Sequence, residues 1–173
     1  MDFDRAFDVV IGHEGSYSRH PDDPGGETMW GITRRVAMQE GYQGDMRYLS
    51  RDTAKAIYLR RYWQALQADS LPDALRLPLF DAAVNSGATQ AVKWLQRCVD
   101  VVDDGVIGPM TLQAAQRCNA VRVAAAMQGM RLDFMTSLPT WGMFSRGWSR
   151  RIAANLMLLV QAPSEPAQPS SRA

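Results

Sequence analysis

Cysteine and histidine are scarce, with two of each in 173 residues. Two thiols do not make a disulfide framework, so Cys98 and Cys118 read as reduced, helix-packed residues of a chain made in the cytoplasm. His13 and His20 stand near Asp22 and Asp23, but at no spacing that matches a metal site, and neither a metal nor a cofactor is expected. Long apolar runs are missing as well. Leu156-Met-Leu-Leu-Val160 is far too short to span a bilayer, which argues against stable membrane insertion. The start, Met1-Asp-Phe-Asp4, is acidic where a secretory signal would be basic. Nor is there an excess of one charge. The formal net charge is +1, so no nucleic-acid partner follows from the total.

What is present is an ordinary globular composition, 46% hydrophobic and 21% charged, in a chain long enough for one substantial core or two small subdomains. The halves differ in charge. Residues 1–86 hold ten Lys/Arg against thirteen Asp/Glu, a net −3, and residues 87–173 hold nine against five, a net +4. A mildly basic second half suits an anionic polymer.

The periodicity is helical almost throughout. Helices are expected over about 2–14, 34–41, 51–66, 79–85, 89–101, 109–119, 120–137 and 147–161. Thr33 and Ser50 cap two of them, and Pro109 opens another at its first position. Residues 16–26 are loop, rich in Ser, Pro, Asp and Gly, and Glu27–Thr33 reads as a small strand or extended turn. Residues 71–78 read as a connection with a short turn. From Ala162 the composition is that of a disordered tail. The class is mainly α, with no obvious flexible linker inside it.

One helical stripe ends on a charge. Phe3, Phe7, Val10 and Glu14 follow at steps of four, three and four, which stacks them on one helix face. With Gly15 as the left-handed terminator, Glu14 would sit in the last turn, near the negative end of the helix dipole. Partial burial and that dipole both disfavour its charged form and raise its pKa. A carboxyl held protonated near neutral pH is what a glycosidase uses as general acid. A helix-ending surface glutamate is the plainer alternative.

Asp22, Asp23 and Thr28 follow eight, nine and fourteen residues later, on an excursion that would set them across a cleft from the acid. Asp before Pro and Gly also stabilises turns unaided, and Thr28 is equally a plain strand residue. Tyr17, Trp30 and Tyr62 suit stacking on sugar rings, or core packing. Asn85 suits an acetamido group, or a helix end. Trp141, Phe144 and Trp148 read as core of the second half rather than a ligand box.

Taken together, His13-Glu-Gly-Ser-Tyr-Ser18, Asp22-Asp-Pro-Gly-Gly-Glu-Thr28, Trp30-Gly-Ile-Thr33, Tyr62-Trp63 and Phe80-Asp-Ala-Ala-Val-Asn-Ser-Gly87 resemble the glycoside hydrolase family 108 muramidases. That family includes phage endolysins and secretion-activator proteins. Lys93-Trp-Leu-Gln96, Asp104-Gly-Val-Ile-Gly-Pro109 and Thr136-Ser-Leu-Pro-Thr-Trp141 resemble the peptidoglycan-binding half that follows in it. The resemblance runs in order over about residues 3–157.

It implies a lysozyme-like fold with a small β-hairpin after the first helix. It also implies hydrolysis of the β-1,4 bond between N-acetylmuramic acid and N-acetylglucosamine. Glu14 takes the place of the family's catalytic Glu, although Ser16 stands where Gly is common. Asp23 and Thr28 resemble the Glu–Asp–Thr set of phage lysozymes, one residue short at the Thr. Tyr17, Trp30, Tyr62 and Asn85 are the expected substrate contacts. The expected organisation is a catalytic region over 1–87, a helical peptidoglycan-binding region over 88–161 and a tail over 162–173. The expected partners are peptidoglycan glycan strands and a holin or export companion that releases a monomeric protein from the cytoplasm to the periplasm or wall. A lytic transglycosylase and a weakly lytic wall-binding protein that assists secretion are the alternatives.

Overall fold

The computed structural model describes residues 1–12, 17–19 and 26–161. Glu14, Asp22, Asp23, both histidines and the expected tail lie outside the described residues. The first helix, α1, spans Phe3–Ile11, with the Asp2 side chain accepting from the Arg5 N–H at its start. Strands β1 (Ser18–Arg19), β2 (Glu27–Met29) and β3 (Ile32–Thr33) form an antiparallel sheet in the order β1-β2-β3. Helices α2 (Arg34–Gln39), α3 (Arg51–Tyr58), α4 (Asp73–Ser86), α5 (Ala88–Cys98), α6 (Pro109–Arg117), α7 (Ala120–Thr136) and α8 (Trp141–Gln161) follow. The expected class is found: mainly α, with a small sheet after the first helix.

Several boundaries differ from expectation, among them the end of α5, at Cys98 rather than 101. The first helix was expected to reach residue 14 and stops at Ile11, because Gly12 adopts φ 65° and ψ −166°, a region open essentially to glycine. Glu14, expected in the last turn, lies outside the described residues. The helix expected over 51–66 is α3 followed by a π-helical segment, Leu59–Gln64. The wider turn lets two adjacent rings, Tyr62 and Trp63, both reach Phe80, at 6.5 and 5.5 Å between centroids. Helix α4 begins at Asp73 and carries Pro78 inside it, where a connection was expected. Proline there loses a backbone bond, but Leu75, Leu77, Leu79 and Phe80 are all buried on this helix, and packing overrides propensity. Helix α8 starts at Trp141 rather than 147, its first turns held by Trp148 against Trp141 and Phe144.

A single apolar cluster runs from Ala6 to Leu159 and takes in both halves of the chain. Phe3, Phe7, Tyr58, Trp63 and Phe80 form its aromatic centre, with centroid separations of 5.4 to 6.2 Å. The indole N–H of Trp63 donates to Asp69 Oδ1 at 2.9 Å, which satisfies its polar edge. Cys98 and Cys118 are free, and burial pushes both thiols up.

At the bottom of α4 lies a buried charge. Asp81 is 2% exposed and Arg131, from α7, is 1% exposed. Arg131 Nη1 donates to Asp81 Oδ2 at 2.5 Å, and Asn155 Nδ2 of α8 to the same oxygen at 2.7 Å. Arg151 Nη1, also from α8, donates to Oδ1 at 3.0 Å. One carboxylate thus ties three helices together. Removing a partner from a buried pair leaves an uncompensated charge and costs about 3–5 kcal/mol. Asp81→Asn keeps the shape but leaves two guanidiniums without their anion. We expect it to lower unfolding stability by about 3–5 kcal/mol, read from urea denaturation; a loss below about 1 kcal/mol would contradict this account.

Candidate active site

The described candidate residues stand beside and in the sheet, in the π-helical segment and in the last turn of α4. Thr28 is the middle residue of β2, opposite Ser18 on one side and Thr33 on the other. It is half-buried, and among the described residues its hydroxyl makes one long bond, to the Ser18 carbonyl at 3.5 Å. Glu27 precedes it and therefore faces the other side of the strand. There the Glu27 carboxylate accepts from the Tyr17 hydroxyl at 3.0 Å and from Arg34 Nη1 at 3.2 Å. Tyr17 is thus engaged with the face opposite Thr28.

The turn between β2 and β3 is unusual. Trp30 and Gly31 both have positive φ, 53° and 71°, as a two-residue hairpin turn of the favoured hand requires. A bulky residue rarely takes that conformation. Two hydrogen bonds hold it: Trp30 Nε1 donates to the Leu49 carbonyl at 2.8 Å, and the Tyr58 hydroxyl donates to the Trp30 carbonyl at 3.2 Å. Gly31 has no substitute here, since a Cβ would lie 2.8 Å from the Tyr58 hydroxyl. Burial lifts the Tyr58 phenol well above the usual tyrosine range, with Tyr62 adding to the shift and Arg151 opposing it.

Tyr62 is half-buried beside Tyr58, at 5.5 Å between centroids. Asn85 is exposed in the last turn of α4, and its Nδ2 donates to the Asp81 carbonyl at 2.8 Å. Gly87, at φ 87°, ends that helix, so Asn85 is not its cap. The fold therefore links three of the expected contact residues in one chain of neighbours: Trp30 to Tyr58, Tyr58 to Tyr62, Tyr62 to Phe80, and Asp81 to Asn85. Glu14 and Asp23 lie outside the described residues. Among the described residues no group of three His, Cys, Asp or Glu converges as a metal site would.

Three contributors escaped the sequence reading: Glu27, Asp81 and Arg151. Asp81 had a signal, a lone charge in the run Leu77-Pro-Leu-Phe-Asp-Ala-Ala-Val84, since charges are rarely buried unless paired. Arg151 had none, because its partners lie 70 and 141 residues away.

Ionisation of Tyr58 would place a charge in the core, so the phenol stays neutral in the folded state. Its raised pKa means that this contribution is full below about pH 10, the unfolded value, and is lost as pH rises above it. We expect stability to fall above about pH 10, and Tyr58→Phe to flatten that alkaline limb. An unchanged limb in the Phe variant would sink the assignment.

A family model described as Glycosyl hydrolase 108 matches residues 7–87. The solved structure of Brucella abortus SagA is similar over 96% of this chain and 98% of that one, at 34% identity and a TM-score of 0.85. No curated protein matches. The matched stretch contains α1 from Phe7 onward, the sheet, the aromatic centre apart from Phe3, and the Asp81 helix, and the fold is mainly α and lysozyme-like. On this match and this fold, the chain belongs to glycosyl hydrolase family 108 and is a glycoside hydrolase.

Proposed function

We propose that the protein is a peptidoglycan hydrolase, a muramidase that cleaves the β-1,4 bond between N-acetylmuramic acid and N-acetylglucosamine. The observation that carries this reading is the family match over residues 7–87, which spans every candidate acid–base group. In this reading Glu14 donates a proton to the glycosidic oxygen as the bond breaks. Asp23 takes a proton from the attacking water, and the Thr28 hydroxyl helps orient that water. The weakly engaged Thr28 hydroxyl supports such a use, since it is free to take a stronger partner. Trp30 and Tyr62 would meet sugar faces and Asn85 an acetamido group, while the Tyr17 hydroxyl is held by Glu27 on the other face of β2. Glu14→Gln keeps the shape and removes the proton. It should lower clearing of purified walls by about a thousandfold or more, since the variant lacks its general acid. A folded variant that clears walls at the wild-type rate would end the assignment. Mass spectrometry of the released fragments tests the bond: reducing ends mark hydrolysis, and anhydro ends would mark a lytic transglycosylase instead.

We further propose that residues 88–161 hold the polymer while residues 1–87 cut it. The loop before α6 is well built for contact. The buried Gln96 side chain donates to Asp104 Oδ1 at 2.7 Å and to the Val106 carbonyl at 3.0 Å, and accepts from the Gly105 N–H at 2.8 Å. Val102, Val106 and Met110 are left exposed around it. Arg117, Arg122 and Arg150 are exposed on the same half. Holding raises the local concentration of bonds at the site without altering the barrier. No described helix is long and apolar enough to cross a membrane, and in this reading a holin or export companion brings the enzyme to the wall. Reversing the charge of Arg117, Arg122 and Arg150 together should weaken wall binding about tenfold at low salt and less at high salt. Turnover of a short soluble fragment should change little. Undiminished low-salt binding by the folded triple variant would refute the basic-face part of the reading.

A further inference from the structure

We infer that Arg151 is a positioning residue for the hydrolytic site, acting on the carbonyl end of α1. The inference rests on the reading of Glu14 as general acid. Arg151 belongs to α8, in the half of the chain that supplies no acid–base group. Its guanidinium nevertheless spans two elements of the other half. Nη1 donates to Asp81 Oδ1 at 3.0 Å, and Nη2 donates to the Val10 carbonyl at 3.3 Å.

The second bond is the informative one. Carbonyls in the last turn of a helix have no intrahelical donor. Gly12 ends α1 just past Val10, and Arg151 supplies a donor to the Val10 carbonyl there. A cation there also complements the negative end of the helix dipole. The planar fork of arginine fixes both of its acceptors at once, which an ammonium does not do. The anchor at the other end is rigid, because Arg131 and Asn155 hold Asp81 from the buried side. The end of α1 is therefore fixed to a buried carboxylate, and Glu14 follows Val10 by four residues in the chain. General acid catalysis needs the acid within hydrogen-bond reach of the leaving oxygen. Misplacement by about 1 Å costs on the order of a hundredfold in rate.

The test compares Arg151→Met, Arg151→Lys, Asn155→Ala and Glu14→Gln, on soluble uncross-linked glycan strands of peptidoglycan. Asn155 also donates to Asp81 but, among the described residues, makes no hydrogen bond to α1, so it controls for loosening of the charge cluster. Arg151→Met should lower kcat by about ten- to a hundredfold, with KM within about twofold. Arg151→Lys keeps the charge and one of the two bonds, and should fall between Met and wild type. That variant decides the question if Met does not fold. Asn155→Ala should keep kcat within about threefold despite a lower melting temperature. If both Arg151 variants keep kcat within about twofold while Glu14→Gln is inactive, Arg151 does not position the site. If Asn155→Ala loses as much kcat as the Arg151 variants, the effect belongs to the stability of the cluster and the inference fails. An active Glu14→Gln removes the acid reading itself, a result distinct from the other two.

Discussion

A charge buried at the bottom of α4 organises this molecule. Asp81 receives donors from Arg131, Asn155 and Arg151, and so joins α4 to α7 and α8. A carboxylate in such a place is stable only when its charge and lone pairs are all met. That requirement fixes where α7 and α8 lie far more narrowly than apolar contact does. Leucines slide against one another at small cost, whereas a guanidinium on a carboxylate has one good geometry. The same cluster reaches forward through Arg151 to the end of α1. The part of the chain read here as catalytic and the part read as polymer-binding thus meet in one hydrogen-bonded group and one apolar cluster.

A second constraint acts at the sheet. A strand pair this short contributes little stability alone, and its turn carries a tryptophan in a conformation that bulky residues avoid. The turn is kept by what surrounds it: the Leu49 carbonyl on the indole, the Tyr58 hydroxyl on the Trp30 carbonyl, and the space that only Gly31 leaves for that hydroxyl. Backbone strain of this kind is usual where a loop is held in place for a task. Tyr58 then continues through Tyr62 to Phe80, next to Asp81. The hairpin and the helical core are therefore one structure rather than a core with an appendage.

Much of the fold around the candidate site was legible in the chain, and the reasons are local. Glu27-Thr-Met29 and Ile32-Thr33 pair through a Trp-Gly turn, and the residues between the prolines and α2 announced extended structure. Thr33, Ser50 and Pro109 stand at helix starts, where their chemistry places them. Where local reading failed, a competing term won. Gly12 outranked Gly15 as the end of α1 because its backbone takes a conformation closed to other residues. Pro78 failed to break α4 because four apolar neighbours are buried around it.

Periodicity, caps and turn residues determined the class of fold and most of its helices, and short motifs carried the family resemblance, because each of these is a property of a few adjacent residues. What only the tertiary structure decided are the pairings. Arg151 is one of nine cations in its half, and no neighbour in sequence marks it out from Arg150 beside it. Their fates differ, one bound to Asp81 and Val10, the other exposed, because α8 turns by about 100° between them. Which of the two faces the core depends on where the whole helix comes to rest, and that position is set by contacts separated by 70 and 141 residues.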